Sequence, residues 1–313
     1  MNSSKQISEI RKDYFLNRYV IITPTRSKRP RETKIIPAFE NKKIKDCPLC
    51  PGQIKKNLII KSYPSFKKQP WSVMVIKNKY PIVSLTNQKS YGQHEVVIET
   101  PDHSKELSRL SLKEIINLLN VYQDRTKELS KIKKINYILI FKNYGGKAGA
   151  SLTHAHSQIF CSEVLPPDLR EEFQFMRQYQ KKHKTCPYCD IIRKEEKGPR
   201  KIYSNKEMIA IAPYSSAYHY ETWIFPRRHL DNIVDLNKKE IISLAIFLKK
   251  ILTKLFKINI PYNFFLHQVI SEKNQHFYLK IQPRESIWGG LELGSGLVVN
   301  SLSPEKAASF LRK

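Results

Sequence analysis

Two CxxC pairs divide this chain into halves that share a grammar. Cys47-Pro48-Leu49-Cys50 is followed by His103 and then by His154-Ala155-His156; Cys186-Pro187-Tyr188-Cys189 is followed by His229 and then by His276-Phe277-Tyr278. The order CxxC, lone histidine, histidine-led triplet therefore occurs twice, which points to duplication, although one repetition falls short of a solenoid.

The apolar patterns around these residues repeat as well. The first half reads as strands in YVIITP, PWSVMVIKNKYP and HEVVIET, a helix in SLKEIINLLNVYQDRTKEL, and a strand in NYILIFKN. The second offers EMIAIAPY and ETWIFP, the helix pattern KKEIISLAIFLKKILTKL, then YNFFLHQV and FYLKIQP. Strand runs rich in β-branched residues alternating with one helix predict an α+β chain of two tandem units, 1–165 and 166–313, each a mainly antiparallel sheet with flanking helices. The boundary is expected within 162–185, a polar stretch of helical character. A length of 313 residues suits two units and can bury a core without disulfides.

Two cysteines and two histidines form a Cys2His2 set suited to tetrahedral zinc. Cys47, Cys50, His103 and His154 are assigned to one site, and Cys186, Cys189, His229 and His276 to a second. Disulfide pairing is disfavoured because the sequence shows no apolar signal segment and no run near the ~20 residues of a membrane helix, so a reducing, cytoplasmic setting is expected. A thioredoxin-like role is disfavoured because neither pair is expected between a strand and a helix start. Cys161 reads as a small buried residue.

The net charge of +27 raises the question of a polyanionic partner. The basic residues are spread along the whole chain rather than gathered into an arm, which weakens polyanion binding as the primary role, and a basic surface would also attract phosphorylated small molecules. A non-catalytic nucleotide or nucleic-acid module remains the alternative from another class.

The segment Asn143-Tyr144-Gly145-Gly146-Lys147-Ala148-Gly149-Ala150-Ser151-Leu152-Thr153-His154-Ala155-His156-Ser157-Gln158 carries most of the chemistry. Small residues such as Gly149 let backbone N–H groups approach an anion, and Ser151 and Gln158 add hydrogen-bond donors. On an extended segment His154 and His156 would share a face. With His154 on zinc, His156 becomes a neutral imidazole able to attack phosphorus; alternatively, both histidines bind metal.

These residues resemble the galactose-1-phosphate uridylyltransferase family, a nucleotidyl-histidine branch of the histidine-triad superfamily. The resemblance extends from Ile10-Arg11-Lys12-Asp13 to Ser303-Pro304-Glu305 and includes Arg26-Ser27-Lys28-Arg29-Pro30, Lys77-Asn78-Lys79-Tyr80-Pro81 and Pro101-Asp102-His103-Ser104. It implies two histidine-triad-like units and a double displacement in which His156 takes UMP from UDP-glucose and passes it to galactose 1-phosphate. It further implies that Gln158, Ser151, Arg26 and Arg29 hold phosphate oxygens, that Asn78 and Asn143 contact the nucleotide, that Glu292 contacts the hexose, and that the protein is a homodimer whose C-terminal segment completes the partner's site. Three departures stand out. Ala155 replaces a common proline. Tyr278 stands where a histidine would complete a second metal set with Glu172, His267 and His276. Val298 replaces a glutamine that assists sugar-phosphate binding. Glu-Leu-Gly-Ser-Gly, Ala-Gly-Ala-Ser and the second CxxC also resemble ADP-glucose phosphorylases, which pass AMP to phosphate.

Overall fold

The computed structural model describes residues 8–28, 47–65, 68–270 and 275–313. Strands β1 (Glu9–Lys12) and β2 (Tyr19–Ile22) lead into β3 (Ile59–Tyr63), β4 (Val73–Lys77), β5 (Gly92–Ile98), helix α1 (Leu112–Leu129), β6 (Tyr137–Tyr144) and β7 (His156–Ser162). After α2 (Pro167–His183) and α3 (Pro187–Glu196) come β8 (Lys201–Ser204), β9 (Met208–Ile211), β10 (Thr222–Pro226), α4 (Lys238–Lys257), β11 (Tyr262–His267) and β12 (Tyr278–Pro283). The chain ends with α5 (Gly290–Ser295), β13 (Val298–Asn300) and α6 (Pro304–Arg312). No helix among the described residues is long and apolar enough to cross a membrane.

Ten strands form one sheet in the order β3-β4-β5-β7-β6-β11-β12-β10-β9-β8. Read from either end, the order is the same: three strands of a meander, then the fifth strand of the half, then the fourth. The expected α+β, mainly antiparallel architecture is present, and its two five-stranded halves are joined edge to edge by β6 and β11, from Tyr144 opposite Tyr262 to Phe141 opposite Phe265. A second sheet, β1-β2-β13, ties the two ends of the described chain together, with β13 parallel to β2.

Helices α1 and α4 lie on one face. Ser111 caps α1 in a reciprocal box with Glu114, and Asn237 does the same for α4 with Glu240. Ile115, Leu118, Leu119 and Tyr122 of α1 face inward at helical spacing, as do Ile241, Leu244, Leu248 and Ile251 of α4, and both rows enter one core. Arg125 of α1 reaches into the sheet, where its Nη2 is 2.8 Å from Glu95 of β5, both side chains being buried. The opposite face of the sheet carries two smaller apolar clusters, one around Cys47, Cys50 and Ile98, the other around Cys186, Tyr188 and Trp223. The helices thus leave one side of the sheet for chemistry.

Candidate active site and metal centres

On β7, Ile159 and Cys161 point into the helix-side core, and Ser157 accepts a 2.7 Å hydrogen bond from Tyr122 of α1. Period-two alternation sends His156 and Gln158 to the open face. His156 is buried, with 8% of its surface exposed, and its Nδ1 lies 2.8 Å from the carbonyl oxygen of His154. Burial pushes its pKa down to about 4. A neutral ring whose Nδ1–H donates to that carbonyl presents a bare Nε2 lone pair, the atom a phosphorus nucleophile needs. Strand β7 begins at His156, so His154 sits just before the strand.

Behind His156, Lys142 of β6 is fully buried with its Nζ 2.8 Å from Glu99 and 3.0 Å from Glu106, and it donates to the His156 carbonyl at 3.3 Å. Burial works against this ammonium, yet Glu106 and Glu99 outweigh it and hold the Lys142 pKa above its ordinary value. In front, the Gln158 side-chain oxygen is 2.8 Å from Nε2 of His94, with Asn78 alongside at 3.4 Å. The glycine loop bends at Gly145 (φ 85°) and Gly149 (φ 84°), around a short 3-10 turn over Gly146–Ala148. Glycine is required there, because side-chain-bearing residues rarely adopt such φ values. Asn143 is fixed from across the seam: Asn263 of β11 donates through Nδ2 to Asn143 Oδ1 at 2.8 Å and to the Ala148 carbonyl at 2.7 Å.

Both predicted Cys/His sets come together. In each, the four donor atoms lie within 4.8 Å of one another. His154 Nδ1 is 3.6 Å from Cys47 Sγ and 3.5 Å from Cys50 Sγ, and His103 Nδ1 is 3.3 Å from Cys50 Sγ. These are close to the edge length, about 3.5 Å, of a tetrahedron with Zn–S near 2.3 Å and Zn–N near 2.0 Å. The far nitrogen of His154 is 2.8 Å from the Thr100 carbonyl and that of His276 is 3.1 Å from the Pro226 carbonyl, so each Nδ1 is left free toward the sulfurs. Burial, together with Cys47, raises the Cys50 thiol to about 11, so binding a cation there would displace a proton. The donor chemistry is compatible with zinc at both centres. The second is more open, with His229 exposed. Its Cys186 caps the start of α3, and the element before it is α2 rather than a strand.

A family model described as galactose-1-phosphate uridyl transferase, N-terminal domain, matches residues 1–166, and one described as the C-terminal domain matches residues 172–285. The chain belongs to the galactose-1-phosphate uridylyltransferase family. It is 32% identical to an ADP-glucose phosphorylase of Arabidopsis thaliana over 98% of this chain and 93% of that one. It is 30% identical to a galactose-1-phosphate uridylyltransferase of Thermotoga maritima over 97% and 98%. Among solved structures it superimposes on an Arabidopsis thaliana ADP-glucose phosphorylase with bound ADP-glucose, TM-score 0.86 at 30% identity, over 98% of this chain and 99% of that one. It also superimposes on a uridylyltransferase, TM-score 0.75 at 27% identity, over 98% and 97%.

Within this uridylyltransferase-family chain, the first half gathers Asn78, Asn143, Gly149, His156 and Gln158 around β6, β7 and their loop, with Ser151 exposed on that loop. Arg26 is exposed on the turn Pro24–Lys28 that follows β2 of the small sheet. Arg29 is outside the described residues. Glu292 lines a cavity whose walls combine first-half residues such as Asp13, Arg18 and Tyr137 with second-half residues and do not include His156 or Gln158. The sequence reading missed His94, whose place two residues before Val96 on β5 puts it on the same face as the site. It also missed Asn263, which becomes visible only once β11 is known to pair with β6.

Proposed function

We propose that the protein is a nucleotidyltransferase that works through a covalent nucleotidyl-His156 intermediate on a nucleoside-diphosphate hexose. The observation that supports this best is the neutral, buried His156 with Nδ1 committed to the His154 carbonyl. Nε2 attacks the α-phosphorus, the bond from that phosphorus to the bridging oxygen breaks, and the hexose 1-phosphate leaves with the bonding electrons. The ring is then cationic, and its Nδ1–H bond to the carbonyl strengthens as charge develops. A phosphate oxygen of the acceptor next attacks the same phosphorus, the P–N bond breaks, and neutral His156 returns. Gln158, held by His94 and Asn78, is placed to donate its amide N–H to the phosphoryl oxygens, and the loop around Gly149 and Ser151 offers further donors. Zinc on Cys47, Cys50, His103 and His154 would anchor the segment that carries the nucleophile.

For the donor and acceptor, one reading is UMP transfer from UDP-glucose to galactose 1-phosphate. A second, transfer of AMP from ADP-glucose to phosphate, is favoured by the likeness to ADP-glucose phosphorylase in sequence and fold and by Val298 in place of a glutamine. Incubation with either donor labelled at the α-phosphate, without acceptor and quenched in alkali, should leave label on the wild type and none on His156→Ala. The donor that labels chooses the base, and no label from either donor in folded protein would overturn the mechanism for both. We also propose that residues 1–165 and 166–313 are the two units of a duplication, and that a homodimer brings Glu292 of one copy to the His156 site of the other. An active monomer in sedimentation would remove the dimer.

A further inference from the structure

Residues 284–297 leave the ten-stranded sheet at the end of β12 and rejoin the small sheet at β13, so the two stems of this arm belong to different sheets. The arm carries α5 and Glu292, and apolar side chains on it face outward: Ile287 is 80% and Leu293 75% exposed. An arm held so little by its own burial takes its position from its stems.

Both stems are gripped by one turn, residues 212–221 between β9 and β10. Nδ1 of His219 is 2.7 Å from Glu285 on the first stem, and its Nε2 is 2.9 Å from the hydroxyl of Ser301, just past the second. A neutral ring satisfies both, with Nδ1–H donating to the carboxylate and Nε2 accepting from the hydroxyl. The neighbours of His219 repeat the pattern. The Tyr218 hydroxyl accepts from Arg284 at 2.9 Å while its ring stacks on Trp288, centroids 5.5 Å apart. Asn300 donates to the Ser216 carbonyl at 2.7 Å and to that of Tyr218 at 3.3 Å. The turn is itself fixed, since Glu221 accepts from the backbone N–H groups of Ala217 and Tyr218.

We propose that His219 is a positioning residue for nucleotidyl transfer: by closing the two stems on one imidazole, it sets where the arm presents Glu292. This rests on the reading that Glu292 of one copy serves the His156 site of the other. Acting through the arm, His219 governs the hexose end of the reaction and leaves the attack on phosphorus alone. Glucose 1-phosphate leaves in either donor reading, so by reversal it discharges the labelled intermediate. When full-length protein is labelled and then discharged with increasing glucose 1-phosphate, His219→Phe should raise the half-saturating concentration about tenfold, with the maximal rate and the labelling rate at saturating donor largely retained. Hydrogen exchange gives a readout that needs no activity: amides of residues 286–297 should exchange about tenfold faster in the variant. His219→Asn, which keeps a donor for Glu285, should recover part of both effects, and Ser301→Ala, which frees only the second stem, carries the same expectation if His219→Phe does not fold. Unchanged exchange in the arm, or faster exchange with unchanged half-saturation, would overturn the proposal. Wild type that takes no label would instead overturn the His156 reading and with it the role in transfer, a failure told apart because the change in exchange persists.

Discussion

Gln158 is useful to phosphoryl transfer only if its amide points the right way, and a glutamine free to rotate would offer oxygen as often as nitrogen. The 2.8 Å contact between its oxygen and His94 removes that freedom. Burial also lowers the His94 pKa, so the ring stays neutral and one nitrogen can carry a proton toward Gln158 without bringing a charge into the site. Gln158→Ala should lower transfer about 10²-fold, the scale for removing one donor to developing charge, with metal content and thermal midpoint unchanged in parallel assays. Asn263→Ala tests a different residue-scale idea. It releases Asn143 without touching β7, and should raise the KM for the sugar nucleotide about tenfold, equivalent to about 1.4 kcal/mol, with kcat largely retained. At this scale His156, Gln158 and Asn143 were legible because they crowd one segment. His94 and Asn263 were not, because each acts across a strand pairing that one-dimensional spacing does not reveal.

At the scale of elements, α1 is joined to the sheet by an ion pair as well as by its apolar row. Glu95 is fully buried, and Arg125 is its only described cationic partner. Arg125→Met keeps much of the volume but strands the carboxylate, so chemical denaturation should show a loss of about 3–5 kcal/mol. Changing Glu95 to Gln in the same chain should recover part of that loss. Helices α1 and α4 and the long apolar strands were visible in the sequence because their periodicity is sustained. Strands β1, β3, β8 and β13 were missed for a physical reason: they are three to five residues long and mostly half exposed, so pairing with neighbours defines them more than their own patterning. The helix opening at Cys186 was also hidden, since Pro187 reads as a breaker unless it is recognised as a first-turn residue.

At the scale of the whole molecule, each half carries one Cys/His centre whose donor atoms could hold a metal ion. Metal analysis should find two zinc ions per chain. Chelation should lower the thermal midpoint in two steps, with the more exposed His229 centre emptying first; simultaneous loss would contradict the difference in exposure. The matching strand order of the two halves was readable from the order of metal-type residues. That the halves share a sheet was not, because β6 and β11 look like ordinary interior strands and nothing in their residues names the partner.

That shared sheet leaves two outer strands, β3 and β8, and the pairing of each with its neighbour is interrupted by a register shift, between Ile59 and Lys61 in one and between Lys201 and Tyr203 in the other. A sheet whose halves pair edge to edge carries an inherent risk of further pairing of the same kind, chain upon chain. The irregular rims, each bearing a lysine, act as terminators: they spoil the template that another strand would need. Regularising either rim would therefore be expected to yield filaments before it yielded a more stable enzyme.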